Sequence, residues 1–378
     1  MTGDFFLTQW FFLGMRWLCE NVVNNNIFLT ILISTILLRL ITLFSDIKQR
    51  KSSTKIAELQ PQVEKLQQRY KNDPQRLQQE QAKLMKESGV SMFSGCLPMI
   101  LTMVFLFCFI AAFRFWGYEQ NVKVLIEMSD NIAYTMKEEY PEYKDYTTDE
   151  CIEKLSEIVT NGEMTDDELN AFYKKVEPSQ TFLQSKFLWI NNIWQPDNGF
   201  KPVVIPAETF FGANYSSTKK LIYFKEHSEQ KQKLENLGIF YDEADNFKDM
   251  SKDEQNALRE AAYTRYDELM APLKLIYKGH NNGWFILPVL ATLFQLLYAW
   301  YSQKQTAKTA ASSAQGQGTM KVMLYIMPIM TFVFCLSYTS AFAIYWTLSS
   351  LTMLIVNIIL TICMKPNKKG AHDAKKEA

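Results

Sequence analysis

The chain has 378 residues, with 40 Lys and Arg, 40 Asp and Glu and a net charge of zero. Its mean hydropathy of −0.14 matches a soluble protein, and it has no overall basicity of the kind that binds DNA. The average hides the distribution, because the apolar residues are gathered into a few windows.

Residues 1–26 come first. The stretch "DFFLTQWFFLGMRWLCENV" at 4–22 sets aromatics around Arg16 and Glu20, with no basic segment ahead and no small-residue cleavage site behind. A helix lying in the outer membrane interface is expected there, and a sixth span is the alternative. Five windows are about long enough to cross ~30 Å of hydrocarbon as helices. They are 27–44, 95–116, 284–302, 322–338 and 341–364. Trp116, Tyr118, Trp284, Tyr298, Trp300 and Tyr301 stand at their ends, as an aromatic belt does. The expected fold is an all-α polytopic membrane protein with a five-helix transmembrane core.

Between the first two spans, 45–92 reads as a helical hairpin. Ile56, Leu59, Val63, Leu66 and Tyr70 recur at heptad spacing. "KNDPQR" breaks the pattern, with Asp73 placed to cap a new helix and Pro74 suited to its first position. Leu77 and Leu84 then continue the stripe. The hairpin is either a connector or a docking surface for a partner, and periodicity does not choose between them.

The segments 45–92, 303–321 and 365–378 together hold 18 Lys and Arg against 8 Asp and Glu. The long segment 117–282 holds 19 against 30. Positive residues stay inside, so the amino terminus and 117–282 are expected outside, and the tail 365–378 in the cytoplasm. Within the outer segment, "TDDE" at 165–168 and "SKDE" at 251–254 are capping boxes. "TTDECIEKLSEIVTNG" reads as a further helix closed by Asn161 and Gly162.

No catalytic constellation is apparent. The six cysteines are scattered, and only Cys151 lies clearly in the outer segment. His227, His280 and His372 are far apart, without metal-binding spacing. No phosphate-cradling motif is present. No metal, cofactor or enzymatic activity is expected.

The informative residue is Arg39, a full charge within "ILLRLITL". It precedes Asp46 by seven residues, which is about 10 Å of helix. Its side chain has either of two fates: snorkelling to the inner interface, or facing a polar cavity. No Asp or Glu lies in any other span, whereas Thr102, Gln295, Ser349 and Ser350 do. An arginine beside such residues and without a counter-charge requires water.

Several stretches carry a family resemblance. "ILLRLITL…SDIKQRKSSTKIAELQPQVEKLQQRY", "SGCLPMILTMVFLF", "FLWINNIWQPD", "NNGWFILPVLATLFQLL" and "YIMPIM…AFAIYWTLSSL" resemble, in order, the YidC/Oxa/Alb membrane-protein insertases. The similarity is to bacterial forms without a large domain ahead of the first core span. The chain departs from the pattern at Thr102 and Val104, where the family commonly has Gln and Pro after "GCLP". It also has Tyr298 near a second expected glutamine, and an unusually long 117–282.

The resemblance implies five helices around a water-filled groove that holds Arg39, in the bacterial cell membrane. It implies nascent membrane proteins as substrates, with Thr102, Gln295, Ser349, Tyr345 and Trp346 as groove or exit residues. Ribosomes and the Sec translocon are the implied partners. Lys365, Lys368, Lys369, Lys375 and Lys376 suit ribosomal RNA or anionic lipid. Residues 205–275 are expected to be replaceable by a short linker. A secondary transporter, or a membrane-anchored scaffold or receptor acting through the outer segment, are the alternatives.

Overall fold

The computed structural model describes residues 6–89, 96–212, 215–243, 246–309 and 314–363. These residues are mostly helical, with two isolated β-bridges and no strand among them. The expected basic tail, Lys365 to Lys376, lies outside the described residues.

The chain divides into two compact units. The first comprises residues up to 30, 108–286 and 336–342. The second comprises 31–107, 287–335 and 343 onward. Two long helices contribute to both: α2 (Ile27–Arg69) and α4 (Cys96–Glu139). Neither ends where polarity changes in the sequence. Helix α2 runs through the expected span end at 44 and on into the hairpin. Helix α4 runs past 116, because helical backbone bonding is indifferent to whether the side chains face lipid or water.

In the second unit, α3 (Pro74–Glu87) starts at Asp73, whose carboxylate accepts from the Arg76 N–H at 3.0 Å. Arg69 and Arg76 both lie over the Tyr70 ring at the bend. Leu59, Val63, Leu66, Leu77 and Leu84 are half-buried, and nothing on α3 is fully buried. The Ile56 side chain lies outside the described residues.

Three further helices complete this unit: α13 (Ile286–Thr309), α14 (Ala314–Ser337) and α15 (Ser340–Cys363). By length and composition, Ile27–Phe44 and Ser340–Cys363 are able to cross a membrane, while 286–302 and 326–337 are apolar but shorter. Only 11% of the α15 window is buried within the protein. Ile355, Ile359 and Ile362 of α15, and Val289, Leu293 and Leu297 of α13, are exposed. Apolar faces of that size left bare are surfaces for lipid or a partner.

The first unit is built on the distal half of α4. Leu125, Met128, Ile132 and Met136 are fully buried there, each worth about 1.5–3 kcal/mol of apolar burial. Packed in the same core are α5 (Thr148–Thr160), α6 (Asp166–Tyr173) and α12 (Lys252–Ile276). The short helices α7 (Gln180–Gln184), α8 (Ala207–Phe210), α9 (Tyr215–Lys219), α10 (Tyr223–Glu226) and α11 (Ser228–Asn236) fill the intervals. The capping boxes at Thr165 and Ser251 form as the pattern predicts, and a third forms at Thr147. Asn161 is the C-cap of α5, followed by Gly162 at φ +70°.

One expectation is corrected here. Residues 205–275 are not an appendage, because Ile205, Phe210, Leu234, Phe240, Tyr266 and Leu269 share one core with Leu125, Ile132, Ile152 and Phe172. Removing them would strip the other half of that core.

Helix α1 (Phe6–Asn21) also belongs to the first unit. It buries Phe12, Met15 and Cys19 and exposes Phe6, Trp10, Leu13 and Trp17. A helix apolar on both faces, one packed on protein and one bare, suits an interface.

Candidate polar groove and the motif at 187–197

In the second unit, α2 brings Arg39 against α15. Arg39 Nη2 donates to Ser349 Oγ at 2.5 Å and to the Ser349 carbonyl at 3.3 Å, with Met353 Sδ at 3.8 Å. The guanidinium is partly buried. Among the described residues no carboxylate pairs with it, and its Nε and Nη1 donate to nothing. An arginine has five N–H donors, so most of this cation remains available to water or to an arriving anion.

The neighbouring polar groups lie on α13, α14 and α15. Ser350 donates to Gln295 Oε1 of α13 at 3.2 Å. Tyr345 is only 5% exposed, one turn before Ser349, to which it hydrogen-bonds. Trp346 is half-buried beside it. The side chain of Thr102 lies outside the described residues. Thr331 on α14 was not singled out from sequence; it is 1% exposed, and its hydroxyl has no partner among the described residues. Its signal was weak, a lone threonine in an apolar run.

The motif "FLWINNIWQPD", in the first unit, joins elements far apart in sequence. Asp197 is fully buried and accepts from the N–H groups of Trp284 at 2.7 Å and Phe285 at 3.1 Å, just before α13. The carbonyls of Gln195 and Ile193 accept from the N–H groups of Ser340 and Ala341, both at 2.9 Å. These are the first donors of α15, which a helix cannot satisfy internally. Trp194 meets Trp116 of α4 edge to face at 5.2 Å, and Phe187 stacks on Phe28 of α2 at 4.6 Å. Asn282 donates to the carbonyls of Asn192 and Pro196, closing the stem of the intervening segment.

A charge cluster also escaped the sequence. Glu119 of α4 is fully buried, 3.5 Å from Arg16 Nε and 3.0 Å from Lys123 Nζ. Arg16 bridges onward to Glu20 at 3.2 Å and Glu226 at 2.9 Å. The cluster fastens α1 by a polar side, while Phe6, Trp10 and Trp17 stay bare.

The 60Kd inner membrane protein family model matches residues 18–145 and 245–368 of the chain. That is well over half of the chain and includes Arg39 and its partners, whereas the motif at 187–197 falls between the matched stretches. Among individual proteins, a membrane protein insertase YidC of Clostridium perfringens is 47% identical over 97 residues, which is 26% of this chain and 41% of that protein. One of Clostridium tetani is 40% identical over 97 residues, 25% of this chain and 44% of that protein. One of Treponema denticola is 40% identical over 84 residues, 22% of this chain and 14% of that protein. The aligned stretch thus spans less than half of these relatives. The chain belongs to the 60Kd inner membrane protein family, that of the YidC/Oxa/Alb proteins.

Proposed function

We propose that this protein is a membrane protein insertase of the bacterial cell membrane, working without covalent chemistry. Nascent membrane proteins are its substrates. Five helical segments (27–44, 95–116, 284–302, 322–338 and 341–364) form its core, with 117–282 outside and the hairpin and basic tail inside. The similarity to the YidC relatives supports the class of activity. The observation that carries the mechanism is Arg39, a cation in an apolar helix with no carboxylate among its described neighbours and most of its donors unused.

A short hydrophilic tail of a nascent segment has to cross hydrocarbon, and each carboxylate in it costs ~2.5–3.5 kcal/mol at the bilayer centre. A polar groove lined by Arg39, Ser349, Gln295 and Ser350 shortens the apolar path. Arg39 supplies a counter-charge where the dielectric is low. Apolar segments leave into lipid past α13 and α15, beside Tyr345 and Trp346. The half-buried stripe of Leu59, Val63, Leu66, Leu77 and Leu84 offers a docking face for the ribosome or the Sec translocon, and the basic tail suits ribosomal RNA or anionic lipid.

The experiment is complementation. Cells depleted of their own insertase and supplied with this chain should regain insertion of a small two-span substrate, read by protease protection of its translocated loop. Continued failure at normal protein levels would remove the proposal.

A further inference from the structure

Segment 117–282 is acidic as a whole, with 30 Asp and Glu against 19 Lys and Arg. The surface leading to α13 is the opposite. A cavity of about 500 Å³ there is lined by Lys274, Lys278, His280, Phe200 and Tyr277, and by no carboxylate. Lys274 pairs with Asp267 at 2.6 Å, and Lys186 lies over the Tyr277 ring at 5.3 Å. Lys278 and the adjoining Lys201 are exposed and, among the described residues, form no ion pair.

Next to these cations stand bare apolar side chains. Leu188, Phe200 and Trp284 are 78%, 86% and 74% exposed. Leu188 is held at φ +51°, a conformation costly for a branched side chain. The Phe200 ring packs on Phe285 at 5.6 Å, one residue before the first residue of α13. Aromatic rings beside cations, at the point where the chain turns into an apolar helix, match the composition of a membrane interface.

We propose that this patch rests on the outer leaflet and that the cavity takes the phosphate headgroup of an anionic phospholipid. Phe200, Trp284 and Leu188 insert among the upper acyl chains, and Lys201 and Lys278 meet the phosphate. The charge fits the occupant: two free cations within an acidic segment, with no carboxylate in the cavity to repel a phosphate. The proposal rests on the membrane reading above and extends it by naming a lipid class.

The test uses the full chain with the photoreactive residue p-benzoylphenylalanine at position 200, reconstituted into nanodiscs. The nanodiscs hold equal amounts of phosphatidylglycerol and phosphatidylcholine with matched acyl chains, and the adducts are weighed after irradiation. The parent should capture lipid with phosphatidylglycerol in excess by about fivefold for each engaged lysine. The double variant Lys201→Glu/Lys278→Glu should still capture lipid, with the excess gone. The same photoreactive residue at Ile359, bare on α15, reports membrane embedding by itself. Lipid captured at 359 and none at 200 would overturn the proposal, as would equal capture of both lipids by the parent. No lipid at either position would count against the membrane reading, and the proposal would fall with it.

Discussion

Asp197 holds the backbone of Trp284, 87 residues further along, by a hydrogen bond of 2.7 Å. The contact brings the two ends of the intervening segment together directly before α13. The space beside the carboxylate is closed. A Cβ on Gly283 would lie 2.0 Å from Asp197 Oδ1 and 2.8 Å from its Cα. Gly283→Ala should therefore push the backbone apart and cost at least about 1–3 kcal/mol, read as a lowered Tm. An unchanged Tm would mean that the stem is not closed in this way.

The shared core of the first unit makes a prediction about deletion. Replacing 205–275 by a Gly/Ser linker should uncover Leu125, Ile132, Ile152 and Phe172 and leave the first unit open to trypsin. A protease-resistant, normally accumulating product would show that 117–204 folds without its partner half.

Orientation needs a better outer reporter than Cys151. Cys151 is fully buried, and burial pushes its thiol pKa up, so an impermeant maleimide should leave it unlabelled in the folded protein. Lys201→Cys should be labelled from outside in intact spheroplasts, and Cys363 only after permeabilisation. Labelling of position 201 only from the cytoplasmic face would reverse the topology.

The three capping boxes should make the first unit acid-sensitive. Hydrogen bonds from the Thr147 backbone and hydroxyl hold Glu150 below its ordinary pKa, and those of Thr165 do the same for Glu168. For Glu254 the Ser251 hydroxyl acts first and the backbone second. A carboxylate lowered on folding stabilises fully above its unfolded value and loses that contribution as pH falls through the folded one. The Tm should thus drop on acidification below about pH 4.5, the ordinary glutamate region. The drop should be smaller in a triple Glu→Gln variant at 150, 168 and 254. An equal drop in both would assign the sensitivity elsewhere.

Local chemistry was legible in the sequence, and long-range pairing was not. Thr165 and Ser251 declared their helices because a capping box needs only four consecutive residues. Arg39 declared itself because a charge inside an apolar run is rare. The Arg16–Glu119 contact was hidden because its partners stand on helices distant in sequence, and each alone reads as a surface charge. The unity of 122–176 with 203–273 was hidden for the same reason: a core split between two stretches has no periodicity that links them. The continuation of α2 past 44 and of α4 past 116 was hidden because hydropathy marks a change of surroundings, which both helices cross without breaking.

The central claim is that Arg39 acts through its charge. Its contacts to Ser349 are to neutral oxygens, so removing it strands no buried carboxylate among the described residues, and folding should change little. The direct measurement is protease protection of translocated tails, scored for acidic and neutral substrates at equal protein levels. Arg39→Lys should keep much of the activity. Arg39→Ala should lose insertion of tails carrying Asp or Glu, and lose less for neutral tails, whose path is shortened by the groove alone. Insertion of acidic tails by Arg39→Ala at the parental level would contradict the account and leave Arg39 as a side chain that merely reaches for the interface.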